Sequence, residues 1–252
     1  MKRNVMEYIR ERLKHGKLHM TLIDPEKQSP ARAAEIASFA ERSGSAAIMV
    51  GGSTGVDMEN TEATLRAMKK VVNIPLICFP SSAASLTSSF DAVFFLSMMN
   101  STAPEHITGE QAAGALLVKK LGIEPIGMGY IIVEPGMRVG EVGRADPVRR
   151  NDIARAVGYS LAAEYFGMHL VYLEAGSGAP FHVPEEMIRS VKREISIPLI
   201  VGGGIRTAEA ARRVAESGAD IIVTGTIAEE DSSLRSLAEI VASITGRSHY
   251  TH

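Results

Sequence analysis

The stretch Leu170-Val171-Tyr172-Leu173-Glu174-Ala175-Gly176-Ser177-Gly178 decides how the rest of the chain is read. Its first four residues form an apolar run, the pattern of a strand buried on both faces. A carboxylate and a glycine–serine turn follow. Glycine lets the backbone of such a turn take positive φ and come close to a ligand, and its free N–H groups suit an anion. One segment thus offers a phenol, a carboxylate and an oxyanion cradle at the end of a strand. The plain alternative is a tight β-turn with Glu174 merely exposed, because a single short glycine motif carries little weight.

The pattern recurs twice downstream. An apolar run ending at Val201 enters Gly202-Gly203-Gly204-Ile205-Arg206, and another enters Val223-Thr224-Gly225-Thr226. Upstream, strand-like and helix-like runs alternate. Strands are expected at 18–23, 46–50, 75–79, 92–96, 126–133, 169–173, 198–201 and 220–223. Helices are expected at 31–42, 58–71, 111–121, 153–166, 184–194, 208–217 and 234–244. Thr207 and the pair Ser29-Pro30 are helix starts, and Gly44, Gly122, Gly167 and Gly218 sit where C-cap glycines belong. Eight mostly apolar strands with alternating helices predict an α/β fold, a (β/α)₈ barrel, as one domain over residues 1–252. An open doubly wound sheet is the runner-up, but its phosphate motif comes after the first strand, and here the glycines come late. The run Pro80-Ser81-Ser82-Ala83-Ala84-Ser85-Leu86-Thr87-Ser88-Ser89-Phe90 is a poor barrel helix, so the third helix should be degenerate. The run Glu134-Pro135-Gly136-Met137-Arg138-Val139-Gly140 reads by default as a surface loop, with a binding lid or an oligomer contact as alternatives.

Composition narrows the function classes. Of 252 residues, 45% are hydrophobic, enough for a large core, and 27 Lys+Arg face 29 Asp+Glu, so no basic excess suggests nucleic acid. Cys78 is the single cysteine and lies in an apolar run. It reads as a buried thiol, and a reducing cytoplasmic setting is expected. The first 14 residues are charged and amphipathic, unlike a signal peptide, and no apolar stretch approaches the roughly 20 residues of a membrane span.

Three glycine clusters at the ends of consecutive late strands point to a phosphate cradle formed by Gly203, Gly204, Gly225 and Thr226, as loops after barrel strands seven and eight commonly do. Tight strand-to-helix turns are the bland reading of the same glycines. Across the mouth, Thr21-Leu22-Ile23-Asp24-Pro25-Glu26-Lys27 ends the first strand at Asp24, and Gly51-Gly52-Ser53-Thr54 brings hydroxyls after the second. One carboxylate beside hydroxyls suits Mg²⁺, which takes few protein ligands plus waters and phosphate. The rival reading of Asp24 is a helix N-cap. Two anionic stations, with Glu174 and Tyr172 by the phosphate cradle and a carboxylate able to take a proton from a hydroxyl, suggest a transferase from which diphosphate leaves. A phosphosugar isomerase or synthase, and a phosphate-binding barrel without chemistry, are the alternatives. The isomerase needs an acid across the barrel on strand five, where none is evident.

Taken together, these motifs, with Phe95-Leu96-Ser97-Met98-Met99-Asn100-Ser101 added, resemble the geranylgeranylglyceryl phosphate synthase family, which includes the heptaprenylglyceryl phosphate synthases. The resemblance covers nearly the whole chain, and the stretch from Tyr172 to Gly178 is its most specific part. It implies a modified (β/α)₈ barrel without a proper third helix, and Mg²⁺ on Asp24 and Ser53. It implies sn-glycerol 1-phosphate on Tyr172, Leu173, Glu174, Ala175, Gly176, Ser177 and Gly178, together with Gly203, Gly204, Gly225 and Thr226. It implies a prenyl diphosphate as the second substrate, with Asp24 and Glu174 as the catalytic carboxylates, and a homo-oligomer. Phe94, Phe95, Met98 and Met99 are candidates for the prenyl trough, although alternation along a strand must turn some of them to the core. The expected product is an ether lipid precursor. A longer prenyl donor is the nearest rival, and chain length is not readable from these motifs.

Overall fold

The structure is a computed structural model that describes residues 4–52, 58–225 and 234–246. Eight parallel strands close a barrel in sequence order, with β1 hydrogen-bonded to both β2 and β8. The strands are β1 (Leu18–Ile23), β2 (Ala47–Val50), β3 (Leu76–Cys78), β4 (Ala92–Met98), β5 (Glu124–Ile132), β6 (Leu170–Glu174), β7 (Leu199–Gly202) and β8 (Ile221–Thr224). Helices α2 (Pro30–Ser43), α3 (Met58–Lys69), α4 (Glu110–Leu121), α6 (Ile153–Tyr165), α7 (Glu185–Glu194), α8 (Ala208–Glu216) and α9 (Arg235–Thr245) surround it.

Two apolar layers follow from the period-two alternation of each strand. Residues such as Met20, Phe94, Met128, Tyr130 and Tyr172 point inward and fill the barrel. Their neighbours Ile23, Val93, Ile131, Val171 and Leu173 point outward against the helices. A helix that the sequence reading did not predict, α1 (Val5–Leu13), plugs the lower end with Val5, Met6 and Ile9. Its first N–H groups are held by the Glu124 carboxylate at the start of β5, from Val5 at 2.5 Å and from Met6 at 3.0 Å. That contact satisfies donors every helix start leaves open.

After β3 there is no barrel helix, only a single 3₁₀ turn at Ala83–Ser85. Serine and threonine side chains take over the local hydrogen bonds, which favours turns over helix. The Ser85 hydroxyl donates to the Ser82 carbonyl at 2.8 Å, and Thr87 and Ser89 donate to Glu62 of α3 at 2.6 and 2.8 Å. The gap is therefore an ordered, thin wall. The expected surface loop after β5 instead contains a short helix, α5 (Met137–Val142), which leans over the barrel mouth. Asn100 ties its neighbourhood to the barrel: it donates to the carbonyls of Ile132 and Asp146 and accepts from the Ile132 N–H.

Candidate active site

Glu174 is the last residue of β6, and alternation turns it inward together with Leu170 and Tyr172. It is only 6% exposed. Its Oε1 accepts the Gly176 N–H at 2.6 Å, and the phenols of Tyr172 and Tyr130 stand near enough to act electrostatically on the same carboxylate. Burial pushes the Glu174 carboxyl above the ordinary glutamate range, while the two phenols and the Gly176 N–H pull the other way. Both phenols are held well above their usual value by burial and by the carboxylate, so they remain donors. Tyr130 lies directly beside Tyr172 in the β5–β6 register. Their rings meet edge to face at 5.1 Å, and Phe79 closes the group at 5.6 and 6.0 Å.

The glycines after β7 are explained by what lies against them. A Cβ on Gly202 would sit 2.1 Å from the Tyr172 hydroxyl, and one on Gly203 would sit 2.4 Å from Glu174 Oε1. Gly203 also has φ +81°, a conformation that side-chain-bearing residues avoid. These glycines let β7 close on the phenol and the carboxylate, in addition to any phosphate they receive through backbone N–H groups.

Asp24 follows β1 and stands on the same inward parity as Met20 and Leu22. Its Oδ1 accepts the Glu26 N–H at 3.1 Å, and Oδ2 lies 3.9 Å from Lys27 Nζ. It caps no helix: Ser29 does so for α2, accepting the Arg32 N–H at 3.3 Å. Partial burial raises its carboxyl above the ordinary aspartate range. A Cβ on Gly52 would fall within 2.6–2.8 Å of the Asp24 carboxylate, so β2 comes in close at this point because residue 52 is glycine. Among the described residues no group of three or more His, Cys, Asp and Glu is placed to hold a metal. A cation at Asp24 would depend on that one carboxylate, waters and a phosphate ligand, an all-oxygen set that fits a hard cation such as Mg²⁺.

From Asp24 and Glu174 a cavity of about 200 Å³ runs outward past Phe79, Leu96 and Phe95 to Leu86, Gly114 and Val118. It leaves the barrel through the gap where the third helix is missing. Of the four trough candidates, Phe94, Phe95 and Met98 line it, while Met99 packs in the helix-facing layer.

A family model described as the PcrB family matches residues 6–244. The chain belongs to the PcrB family. It is 53% identical over 235 residues to a geranylgeranylglyceryl phosphate synthase of Thermococcus kodakarensis, covering 93% of each chain. It is 51% identical to another so named from Methanothermobacter thermautotrophicus, over 94% of this chain and 97% of that one. Among solved structures it resembles the (S)-3-O-geranylgeranylglyceryl phosphate synthase of Thermoplasma acidophilum in complex with sn-glycerol-1-phosphate. That match has a TM-score of 0.94 at 45% identity, covering 97% of this chain and 100% of that one. A thiamine phosphate pyrophosphorylase at 18% identity shares the fold alone, with a TM-score of 0.57.

Within this PcrB-family barrel, Tyr172, Glu174 and Gly203 converge, and Ser177 and Gly225 reach the same cavity. Strand parity turns the side chains of Leu173 and Ala175 into the helix-facing layer, so these two residues can meet a ligand only through their backbone. Gly178 is exposed at the turn, and Gly204 borders a separate outer groove. Ser53 and Thr226 lie outside the described residues. Tyr130 and Phe79 were missed by sequence reading. Tyr130 could have been found by aligning β5 with β6 on their inward residues, whereas no local signal marked Phe79.

Proposed function

We propose that this chain is a prenyltransferase that joins geranylgeranyl diphosphate to the C3 hydroxyl of sn-glycerol 1-phosphate in ether-lipid synthesis. One observation carries the reading. A buried carboxylate, held by a backbone N–H and flanked by two phenols, stands at the head of an apolar trough that escapes through the missing third helix. The relatives named as geranylgeranylglyceryl phosphate synthases support it over almost the whole chain.

In the proposed reaction the C3 hydroxyl oxygen bonds to C1 of the prenyl chain. The C1–O bond to diphosphate breaks, and diphosphate leaves with the electron pair. Glu174 takes the hydroxyl proton; its raised affinity for a proton suits that role, and such general-base help typically contributes about 10²–10⁴ in rate. The Gly176 N–H fixes the carboxylate, and the phenols of Tyr172 and Tyr130 beside it favour its charged form. The backbone N–H groups near Gly203 and Gly225 hold the phosphate of the acceptor, and the trough orients the donor so that the reacting atoms meet. Asp24, with Ser53, would hold Mg²⁺. When bound, the ion would neutralise charge on the departing diphosphate. A cytoplasmic homo-oligomer completes the proposal. No described helix is long and apolar enough to cross a membrane.

The test pairs labelled sn-glycerol 1-phosphate with prenyl diphosphates of increasing length, with sn-glycerol 3-phosphate and a chelated sample alongside. An organic-soluble product, best with the C20 donor and the 1-phosphate, is expected. Calorimetric titration of Mg²⁺ in the presence of inorganic diphosphate should lose its heat in Asp24→Asn. Binding of the 1-phosphate without product from any donor would sink the transferase reading.

A further inference from the structure

A second concavity, of about 620 Å³, lies on the outer rim of the same mouth, at the N-terminal ends of α6, α7 and α8. It shares no lining residue with the catalytic trough. The wall between them is the Gly203–Gly204 turn, where a Cβ on Gly204 would stand 2.3 Å from the Phe181 carbonyl oxygen. The proposed reaction uses none of the side chains in this groove.

Its chemistry is that of an anion receptor. Arg150, Arg189, Arg206 and Arg213 line it, against the two carboxylates of Glu185 and Glu186, in a chain whose formal net charge is −2. The four cations are not equally engaged. Arg213 pairs with Glu185 at 3.2 Å. Arg189 donates to the Ser217 hydroxyl at 3.2 Å. Arg150 donates to the His182 carbonyl at 2.9 Å and lies over the Phe181 ring at 5.6 Å from its centre. Arg206 is exposed, and no hydrogen bond or ion pair to another described residue occupies it. The N-terminus of α7 opens here as well: its cap is Pro184, and no side chain accepts its first N–H groups. The rim carries an aromatic ring in water, since Phe181 is 64% exposed. Guanidinium groups beside an exposed aromatic ring are the composition that engages a lipid headgroup layer, the cations meeting phosphate and the ring lying at the interface.

We propose that this groove docks the enzyme on an anionic phospholipid surface, binding headgroup phosphate through Arg189 and Arg206 while Phe181 enters the interface. Groove and trough open on the same end of the barrel, so docking brings the water-insoluble product to the bilayer. The inference rests on the lipid-forming reading, but vesicle binding is measured without turnover, so the two can fail separately.

The experiment is co-sedimentation of the full chain with phosphatidylcholine vesicles with and without 30% phosphatidylglycerol. Binding only to the anionic vesicles, weakened by high salt, is expected. Arg189→Ala combined with Arg206→Ala should lower vesicle affinity about 30-fold, equivalent to about 1 kcal/mol for each cation. Phe181→Ser should weaken binding to a smaller degree, and turnover of soluble substrates should stay at the parental rate in both. Equal binding to neutral vesicles, or unchanged binding by the double variant, overturns the proposal. So does displacement from the vesicles by millimolar inorganic phosphate at constant ionic strength, which would make this a site for a soluble phosphate ligand. A change in sedimentation velocity with unchanged vesicle binding would reassign the groove to contact between copies.

Discussion

Gly202→Ala isolates the closeness of β7 to the Tyr172 phenol. The backbone at this residue is ordinary, so the substitution acts through space alone. The new Cβ would lie 2.1 Å from the Tyr172 hydroxyl, 2.9 Å from Cζ and 3.0 Å from Cε2. Non-bonded heavy atoms rest at about 3.5 Å, so the phenol must retreat by more than about 1 Å. It has nowhere to go, because Tyr172 is buried and its ring is already wedged against Tyr130 and Phe79. Overpacking of this kind costs about 1–3 kcal/mol. A loss of about 1–3 kcal/mol is therefore expected in urea unfolding, a sizeable part of an ordinary domain's stability. Displacing the carboxylate's partner by an ångström should also lower kcat/KM by about 10². Adding Tyr172→Phe removes the worst contact, so the double variant should regain part of the stability while turnover stays low. Gly158→Ala is the matched control: this glycine sits in α6 with nothing within 4 Å, and alanine there should add up to about 1 kcal/mol and leave turnover alone. Parental stability and parental kcat/KM in Gly202→Ala would refute the argument.

Glu174→Gln should lower kcat by about 10²–10⁴ and abolish an acid limb in the pH–rate profile that the parent shows above the ordinary glutamate range. The sign for stability is opposite. A carboxyl raised by folding is bound to a proton more tightly in the native state, so parental stability falls as pH rises from the unfolded value through the raised one. Thermal melts should thus show the Gln variant gaining on the parent across that window, and a gap that does not change with pH would contradict the assignment. At the far end of the trough, a Cβ on Gly114 would be 3.6 Å from Ala83 and 3.8 Å from Leu86, so Gly114→Ala should be silent. Gly114→Leu should fill the trough, raise KM for a C20 donor at least tenfold, and leave a C10 donor close to its parental KM. Equal loss with both donors would place the prenyl chain elsewhere.

Much of the barrel was legible before any coordinates. The eight strands close where the apolar runs lie, with ends shifted by a few residues. The serine-rich run after β3 forms no helix, because its hydroxyls bond their own backbone and Glu62. Glu174 and Asp24 were found because carboxylates that end apolar strands stand out against their surroundings. Motif reading does not tell which way a side chain points: Leu173 and Ala175 share a motif with Glu174 but face the opposite way along the strand. It read the triple glycine as a phosphate loop and missed that Gly202 and Gly203 make room for Tyr172 and Glu174.

The sequence by itself determined the alternation of strands and helices, the late glycine loops, the broken third unit and the two carboxylates. Each of these is written in neighbouring residues, where period and turn chemistry act. Only the tertiary structure decided that Tyr130 packs against Tyr172 beside one carboxylate, that Asp24 presses on Gly52, and that the trough leaves through the third gap. It alone gathered arginines from three separate segments at one groove. These facts depend on strand register and on closing β1 against β8, which bring together side chains tens to hundreds of residues apart. Such distances are fixed by packing the whole barrel at once, and no local stretch of sequence carries them.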